Sequence, residues 1–354
     1  MTKLAYFIIL FVLFLFVQQS YAQTFDCTGP LPTDPLQRNL KLFNCPKSFP
    51  NYTLLSAHRG YWKDYPEGSM AAFQAAADFG VEMMEVDVKL TTDDTLYVFH
   101  DWTLERLTNG KGVVRDANWN FYKSWNDLKN LRLRNTEGVL TSSPIPTLRQ
   151  VLQLCKTKGI LVSIDKADRF FDKVYTLVHQ LGMDQMVTFK TTYQTFGTPQ
   201  GLKNAFPSVP GDQLLKMYTP TIFGERYDAS TGLQDTIKLF VDAGCPGFEM
   251  IYFKSTDAML TRAVTIDGKS YTNILAYLRD KNRLVIQFPE WPETCEGNWS
   301  PGAAVWRVLK LDGSDNRGNW QWLMDTGSPN VVISDRLEVL KKFLEVYGKR
   351  NTNN

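Results

Sequence analysis

The 354-residue chain carries only three histidines, His58, His100 and His179, and two of them stand where short apolar runs end. His58 closes Leu54–Ala57 in the string Ala-His-Arg-Gly, and His100 closes Leu96–Phe99 in Val-Phe-His-Asp. Between them, Glu85 and Asp87 sit two apart in a β-branched run, so on a strand both point to one face. Two inward acids are costly to bury unless a cation compensates, and carboxylate oxygens suit Mg²⁺ or Ca²⁺. Imidazole is the side chain that exchanges protons near neutral pH. This composition points to metal-assisted chemistry with acid/base groups. The bland alternative is a solvated acid pair with Arg59 as ion-pair partner.

The elements that must position these groups alternate between β-branched runs and amphipathic helices, the pattern of a parallel α/β architecture. Strands are expected at Leu54–Ala57, Met83–Val88, Leu96–Phe99, Leu161–Asp165, Met186–Lys190, Gln213–Tyr218, Gly247–Phe253, Leu284–Phe288 and Asn330–Ser334. Helices are expected at Ser69–Phe79, Leu148–Lys156, Arg169–Leu181, Thr231–Ala243, Thr272–Lys281 and Leu337–Tyr347. Only Thr91 to Thr95 separates the second strand from the third, too short for a parallel crossover, so these two form an antiparallel hairpin. The remaining eight parallel strands match a TIM (β/α)8 barrel, whose active face lies at the strand C-termini. A two-residue turn at Asp93-Asp94 would pair Thr92 with Thr95 and set His100 opposite Asp87. Two long insertions decorate the barrel, Trp102–Pro146 and Pro289 to about Asn319.

The ordered set His58-Arg59-Gly60, Pro66-Glu67, Glu85-Val86-Asp87-Val88, Thr92-Asp93, His100-Asp101 and Arg106-Leu107-Thr108 resembles the glycerophosphodiester phosphodiesterase family. Val332 to Arg336 resembles that family's final strand. The resemblance implies His58 and His100 in acid/base roles and a divalent cation, Mg²⁺ or Ca²⁺, on Glu85, Asp87 and a third carboxylate. It also implies Arg59 on the phosphate, and hydrolysis to a phosphomonoester, usually glycerol 3-phosphate, and an alcohol. Two departures stand out. Gly68 follows Pro66-Glu67 where the family has Asn, and the family's Glu-x-Lys reads here as Asp165-Lys166. Asp165 is expected as the third ligand. An inward Asp165 turns Lys166 outward on a regular strand, so Lys190, at the end of the next strand, is expected to contact phosphate in its place. Glu249, charged within an apolar strand, is assigned to the site, and Asp335 is read as a helix cap only. Tryptophans 102, 119, 125, 291 and 299 are expected to pack the insertions onto the barrel. Competing functions are phospholipase-D-like cleavage of lysolipids or sphingolipids, and a non-catalytic barrel that binds phosphodiesters.

Bulk composition is consistent with one enzyme domain. Hydrophobic residues make up 44%, enough to fill a barrel core. The net charge is +2, from 39 basic and 37 acidic residues, which gives no support for a nucleic-acid partner. A small-molecule phosphodiester is the expected partner. Lys3, the apolar run Leu4–Val17 and Ser20-Tyr21-Ala22 predict a signal peptide over 1–22, hence export and no stable membrane span. Residues 23–50 are expected as an irregular arm and 51–354 as a single barrel domain. Of five cysteines, Cys27 and Cys45 could staple the arm, Cys155 is the expected buried thiol, and an odd count leaves one unpaired within the chain. Asn51 and Asn298 head glycosylation sequons.

Overall fold

The computed structural model describes residues 25–224, 227, 232–252, 254–288 and 320–352. The expected leader, the second insertion, Cys295, Trp291, Trp299 and Asn298 therefore lie outside the described residues. Thirteen strands are described: β1 Leu54–His58, β2 Met83–Leu90, β3 Leu96–Val98, β4 Arg132–Arg134, β5 Leu140–Pro144, β6 Leu161–Asp165, β7 Val187–Thr192, β8 Tyr218–Phe223, β9 Gly247–Ile251, β10 Val264–Ile266, β11 Lys269–Tyr271, β12 Leu284–Gln287 and β13 Val331–Ser334.

Eight of them close a barrel in the order β1-β2-β6-β7-β8-β9-β12-β13, with every pairing parallel and β13 returning to β1. These strands read as nearly continuous apolar runs because helices cover their outer faces. The outer helices follow the expected pattern: Ser69 caps Met70–Phe79 through a bond from Ala72 N–H, and Thr147 with Gln150 forms a capping box on Leu148–Lys158. No helix of the described residues is long and apolar enough to cross a membrane.

Three expectations need correction. First, Phe99 and not His100 lies opposite Asp87: Val88 pairs with Val98 and Leu90 with Leu96, and Phe99 N–H donates to Asp87 O. The turn has three residues, Thr92-Asp93-Asp94, with Asp94 left-handed at φ 63°, which moves the register by one. Second, Gln213–Tyr218 is mostly helix. Gly211–Met217 is helical and β8 begins at Tyr218. A short apolar run cannot be told from a buried helix by period, and Pro220 hid the true strand. Third, the arm is not wholly irregular: Pro35–Asn44 is a helix with Asp34 as its cap. The Cys27–Cys45 disulfide ties its end back to the chain start. Cys155 is a buried free thiol, as expected, and so is Cys245.

The first insertion has its own small core of Tyr97, Phe99, Leu104, Leu107, Val114, Leu128, Leu133 and Ile145. It carries the antiparallel pair β4–β5. Trp119 and Trp125 are half-buried in packing, whereas Trp102 remains 49% exposed.

Candidate functional site

The candidate site is the C-terminal mouth of the barrel. His58 is the last residue of β1, and Arg59 and Gly60 then turn the chain sharply with φ of 57° and 83°. Gly60 passes so close to the helix Met70–Phe79 that a Cβ there would lie 2.8 Å from the Ala72 carbonyl carbon, so only glycine fits. Glu85 and Asp87 point inward from β2, and Asp87 is in register with Asp165, the last residue of β6. Oxygens of Glu85, Asp87 and Asp165 lie within 4.8 Å of one another.

Three cations converge on these acids. Arg59 Nε is 3.2 Å from Asp87 Oδ2, and Lys166 Nζ is 2.8 Å from Asp87 Oδ1. Lys190 Nζ lies 3.0 Å from Glu249, 3.6 Å from Glu85 and 3.8 Å from Asp165. The expectation that Lys166 faces outward is corrected. Lys166 stands one residue past the strand end with φ 62°, so the alternation rule no longer governs it and its ammonium turns into the mouth. Both lysines reach the acid cluster. Glu249, whose Oε2 accepts from the Thr221 hydroxyl at 2.6 Å, belongs there too.

The electrostatics separate the two acids of β2. Burial alone would push Asp87 up, but Lys166, His100 and Arg59 hold it well below the usual carboxylate range. Glu85, buried and facing Asp87, is pushed up to about 8. Its Oε2 is buried and accepts no hydrogen bond among the described residues. An orphaned carboxylate oxygen beside two more acids is a donor set that fits a hard divalent cation. Lys190 resists the burial that would neutralise it because Glu249, Asp165 and Glu85 surround it, and its pKa rises.

Both histidines are anchored through Nδ1. His58 Nδ1 is 2.6 Å from Asp335 Oδ1, the same oxygen that accepts from Trp62 Nε1 at 2.6 Å. Indole N–H can only donate, so that oxygen accepts from Trp62; burial pushes the Asp335 carboxyl up to about 7, and with Asp335 ionised His58 Nδ1 is the donor to it. His100 Nδ1 lies 2.7 Å from Asp101 Oδ1, and Arg106 donates to both oxygens of Asp101. Asp101 is thereby kept ionised, and His100 Nδ1 is the donor. In each ring it is Nδ1 that meets the carboxylate. Burial, with Arg59 close by, lowers both imidazole pKa values, that of His100 to about 3, so both are neutral before substrate arrives. Arg106 also donates twice to Glu67, which accepts from Arg59 at 2.9 Å. One buried carboxylate thus joins the His100 support to the arginine of the first strand. Fully buried Lys89 donates to the His100 carbonyl at 2.8 Å.

Asp335 is therefore not a helix cap. The helix Leu337–Val346 has Arg336 at its N-cap with no side-chain bond, and Asp335 is buried against His58 instead. Sequence reasoning missed the supporting roles of Trp62, Glu67, Asp101 and Arg106. Three of these lie in the motif fragments, but nothing in the spacing says which imidazole each serves. His179 is exposed on the helix Phe171–Gln180, bonded to Asp184, and lies outside the mouth.

Residues 58–197, which include His58, Arg59, Glu85, Asp87, His100, Asp165, Lys166 and Lys190, match the model of the glycerophosphoryl diester phosphodiesterase family. A glycerophosphodiester phosphodiesterase of Caldanaerobacter subterraneus is 40% identical over 114 residues, 32% of this chain and 44% of that one. Human glycerophosphodiester phosphodiesterase 1 is 32% identical over 137 residues, 37% of this chain and 40% of that one. The chain thus spans less than half the length of these curated relatives. Among solved structures, a glycerophosphoryl diester phosphodiesterase from Parabacteroides distasonis superposes with a TM-score of 0.59 at 18% identity, over 90% of this chain and 94% of that one. An Oleispira antarctica phosphodiesterase in complex with the product sn-glycerol-3-phosphate gives 0.53 at 17% identity, over 83% of this chain and 97% of that one. These two likenesses establish a shared barrel fold.

Proposed function

We propose that the chain is a glycerophosphodiester phosphodiesterase, hydrolysing glycerophosphodiesters to glycerol 3-phosphate and an alcohol; the match of residues 58–197 to that family's model supports the reading. The observation that carries this reading is the pair of imidazoles, each anchored by a carboxylate at Nδ1, beside an acid cluster ringed by Arg59, Lys166 and Lys190. Glu85, Asp87 and Asp165 would hold a divalent cation, Mg²⁺ or Ca²⁺, which when bound supplies neutralisation of phosphate charge. Arg59, Lys166 and Lys190 hold the remaining phosphate oxygens; the planar Arg59 fork is suited to two of them at once.

In this mechanism one Nε2 takes the proton of the attacking oxygen as the new P–O bond forms; that oxygen is water's, or the neighbouring hydroxyl of the glycerol, in which case water then opens the cyclic phosphate by the same two groups in reverse roles. The P–O bond to the alcohol breaks, and the other imidazole, protonated in the complex, gives its proton to the departing oxygen. Asp335 and Asp101 stabilise the imidazolium each partner becomes. The test is a screen of glycerophosphodiesters against the purified chain with Mg²⁺ or Ca²⁺, followed by product identification. Glycerol 3-phosphate is expected; release of a phosphorylated headgroup would overturn the bond assignment. We further propose export of the mature chain from Gln23, with a glycan at Asn51. The Cys27–Cys45 disulfide and the exposure of Asn51 support this reading. An N-terminal sequence of the secreted protein beginning elsewhere than Gln23 would correct it.

A further inference from the structure

Arg115 lies in the first insertion and is only 5% exposed. Its Nε is buried without a hydrogen-bond partner, and its two terminal nitrogens, which keep some accessible surface, make no hydrogen bond or ion pair among the described residues. Burying a guanidinium donor without an acceptor is costly, and native proteins seldom leave such a group unexplained. Part of the compensation is visible: the guanidinium carbon sits 4.0 Å from the Trp119 ring centre and 5.0 Å from that of Trp102. Indole faces satisfy charge, but they do not accept the in-plane N–H bonds.

The position of Arg115 gives those donors a purpose. Trp102 directly follows Asp101, the His100 anchor, and its carbonyl accepts from Val114 N–H at 2.8 Å. Trp119 packs edge-on against Phe170, four residues beyond Lys166, with ring centres 6.2 Å apart. Arg115 is therefore held between the loops that present His100 and Lys166, at the rim of the mouth. Two carboxylates act on it through space, Asp168 and Asp116, and neither is within ion-pair distance. Asp116 is committed to Asn120 and Tyr122, and Asp168 accepts the Thr191 hydroxyl at 2.9 Å. Lys89 also lies within electrostatic reach.

We propose that Arg115 is an anion-binding subsite that selects phosphodiesters whose alcohol carries a second anionic group with two oxygens to offer, a carboxylate or a phosphate. Its fork of donors matches such a group in two parallel bonds, and the indoles keep the fork from collapsing onto a neighbour. The proposal rests on the hydrolase reading above.

Glycerophosphoserine and glycerophosphoethanolamine differ by one carboxylate, so their kcat/KM ratio isolates the subsite. The wild-type chain should favour the serine diester, and Arg115→Met should lower that ratio about tenfold or more, the scale of a lost charged hydrogen bond. Arg115→Lys should restore part of it. An unchanged ratio in Arg115→Met, even with both rates reduced, assigns Arg115 to packing alone and overturns the proposal. If the Met variant does not fold, the wild-type ratio decides by itself: equal use of the two diesters, or preference for ethanolamine, refutes the subsite. Failure to hydrolyse either diester sinks the hydrolase reading, and the subsite with it, and is thereby distinguishable from a loss of selectivity.

Discussion

Burial pushes the Asp335 carboxyl up to about 7, so above that pH replacing Asp335 by Asn removes one negative charge 2.6 Å from His58 Nδ1 and changes almost nothing else. The amide oxygen can still accept from both Trp62 and His58, so the neutral tautomer survives. What is lost is the attraction between the carboxylate and the imidazolium that forms during turnover. With charge centres about 4 Å apart and an effective dielectric of about 20, that attraction is worth about 4 kcal/mol. The full amount is lost at the transition state and none in the neutral ground state, which predicts a fall in kcat of about 10³-fold. KM and cation affinity should hardly move, because Asp335 touches neither the acid cluster nor the lysines. The assay is continuous detection of glycerol 3-phosphate at saturating substrate and cation, with cation binding measured separately by calorimetry. A fall in kcat of less than about threefold, with the cation bound as in wild type, would refute the reasoning that His58 becomes charged during turnover.

Three further outcomes follow from the same geometry. Glu85, pushed up from 4.5 to about 8, takes up a proton on folding, so stability of the cation-free protein should fall as pH rises through that window, and cation binding near pH 7 should release about one proton. Calorimetry in buffers of different ionisation enthalpy reads this directly, and zero release would show that Glu85 is already ionised. Lys166→Met and Lys190→Met should each lower kcat/KM by about 10²-fold, since both ammoniums reach the cluster; a loss at one alone would single out the phosphate contact. Glu67→Gln leaves Arg59 and Arg106 buried with reduced compensation and should cost about 3 kcal/mol or more in chemical denaturation, against a result under about 1 kcal/mol if the network is dispensable.

Much of this site could be read without coordinates, and the reasons are local. Glu85 and Asp87 follow from strand alternation, because β2 is regular across both and fully buried. The eight-strand count follows from chain length between runs. Two of the failures share one cause: they lie where a regular element stops. His100 and Lys166 stand beyond the last paired residues of β3 and β6, and there a single left-handed residue, Asp94 in the turn or Lys166 itself, outweighs the period-two rule. Asp335 looked like a cap because it precedes a helix. Its real partner, His58, is 277 residues away and becomes a neighbour only when β13 closes onto β1. No local pattern encodes that closure, and none marks Arg106 and Glu67 as partners 39 residues apart.

The two-imidazole account is tested most directly by turnover of one glycerophosphodiester by four proteins: wild type, His58→Ala, His100→Ala and His179→Ala, each saturated with Mg²⁺ or Ca²⁺. His58 and His100 meet at the mouth, whereas His179 is exposed on an outer helix. The account predicts a loss in kcat of about 10²-fold or more at each of the first two and no more than about twofold at the third. Comparable losses at all three, or near-wild-type turnover in either His58→Ala or His100→Ala, would contradict it.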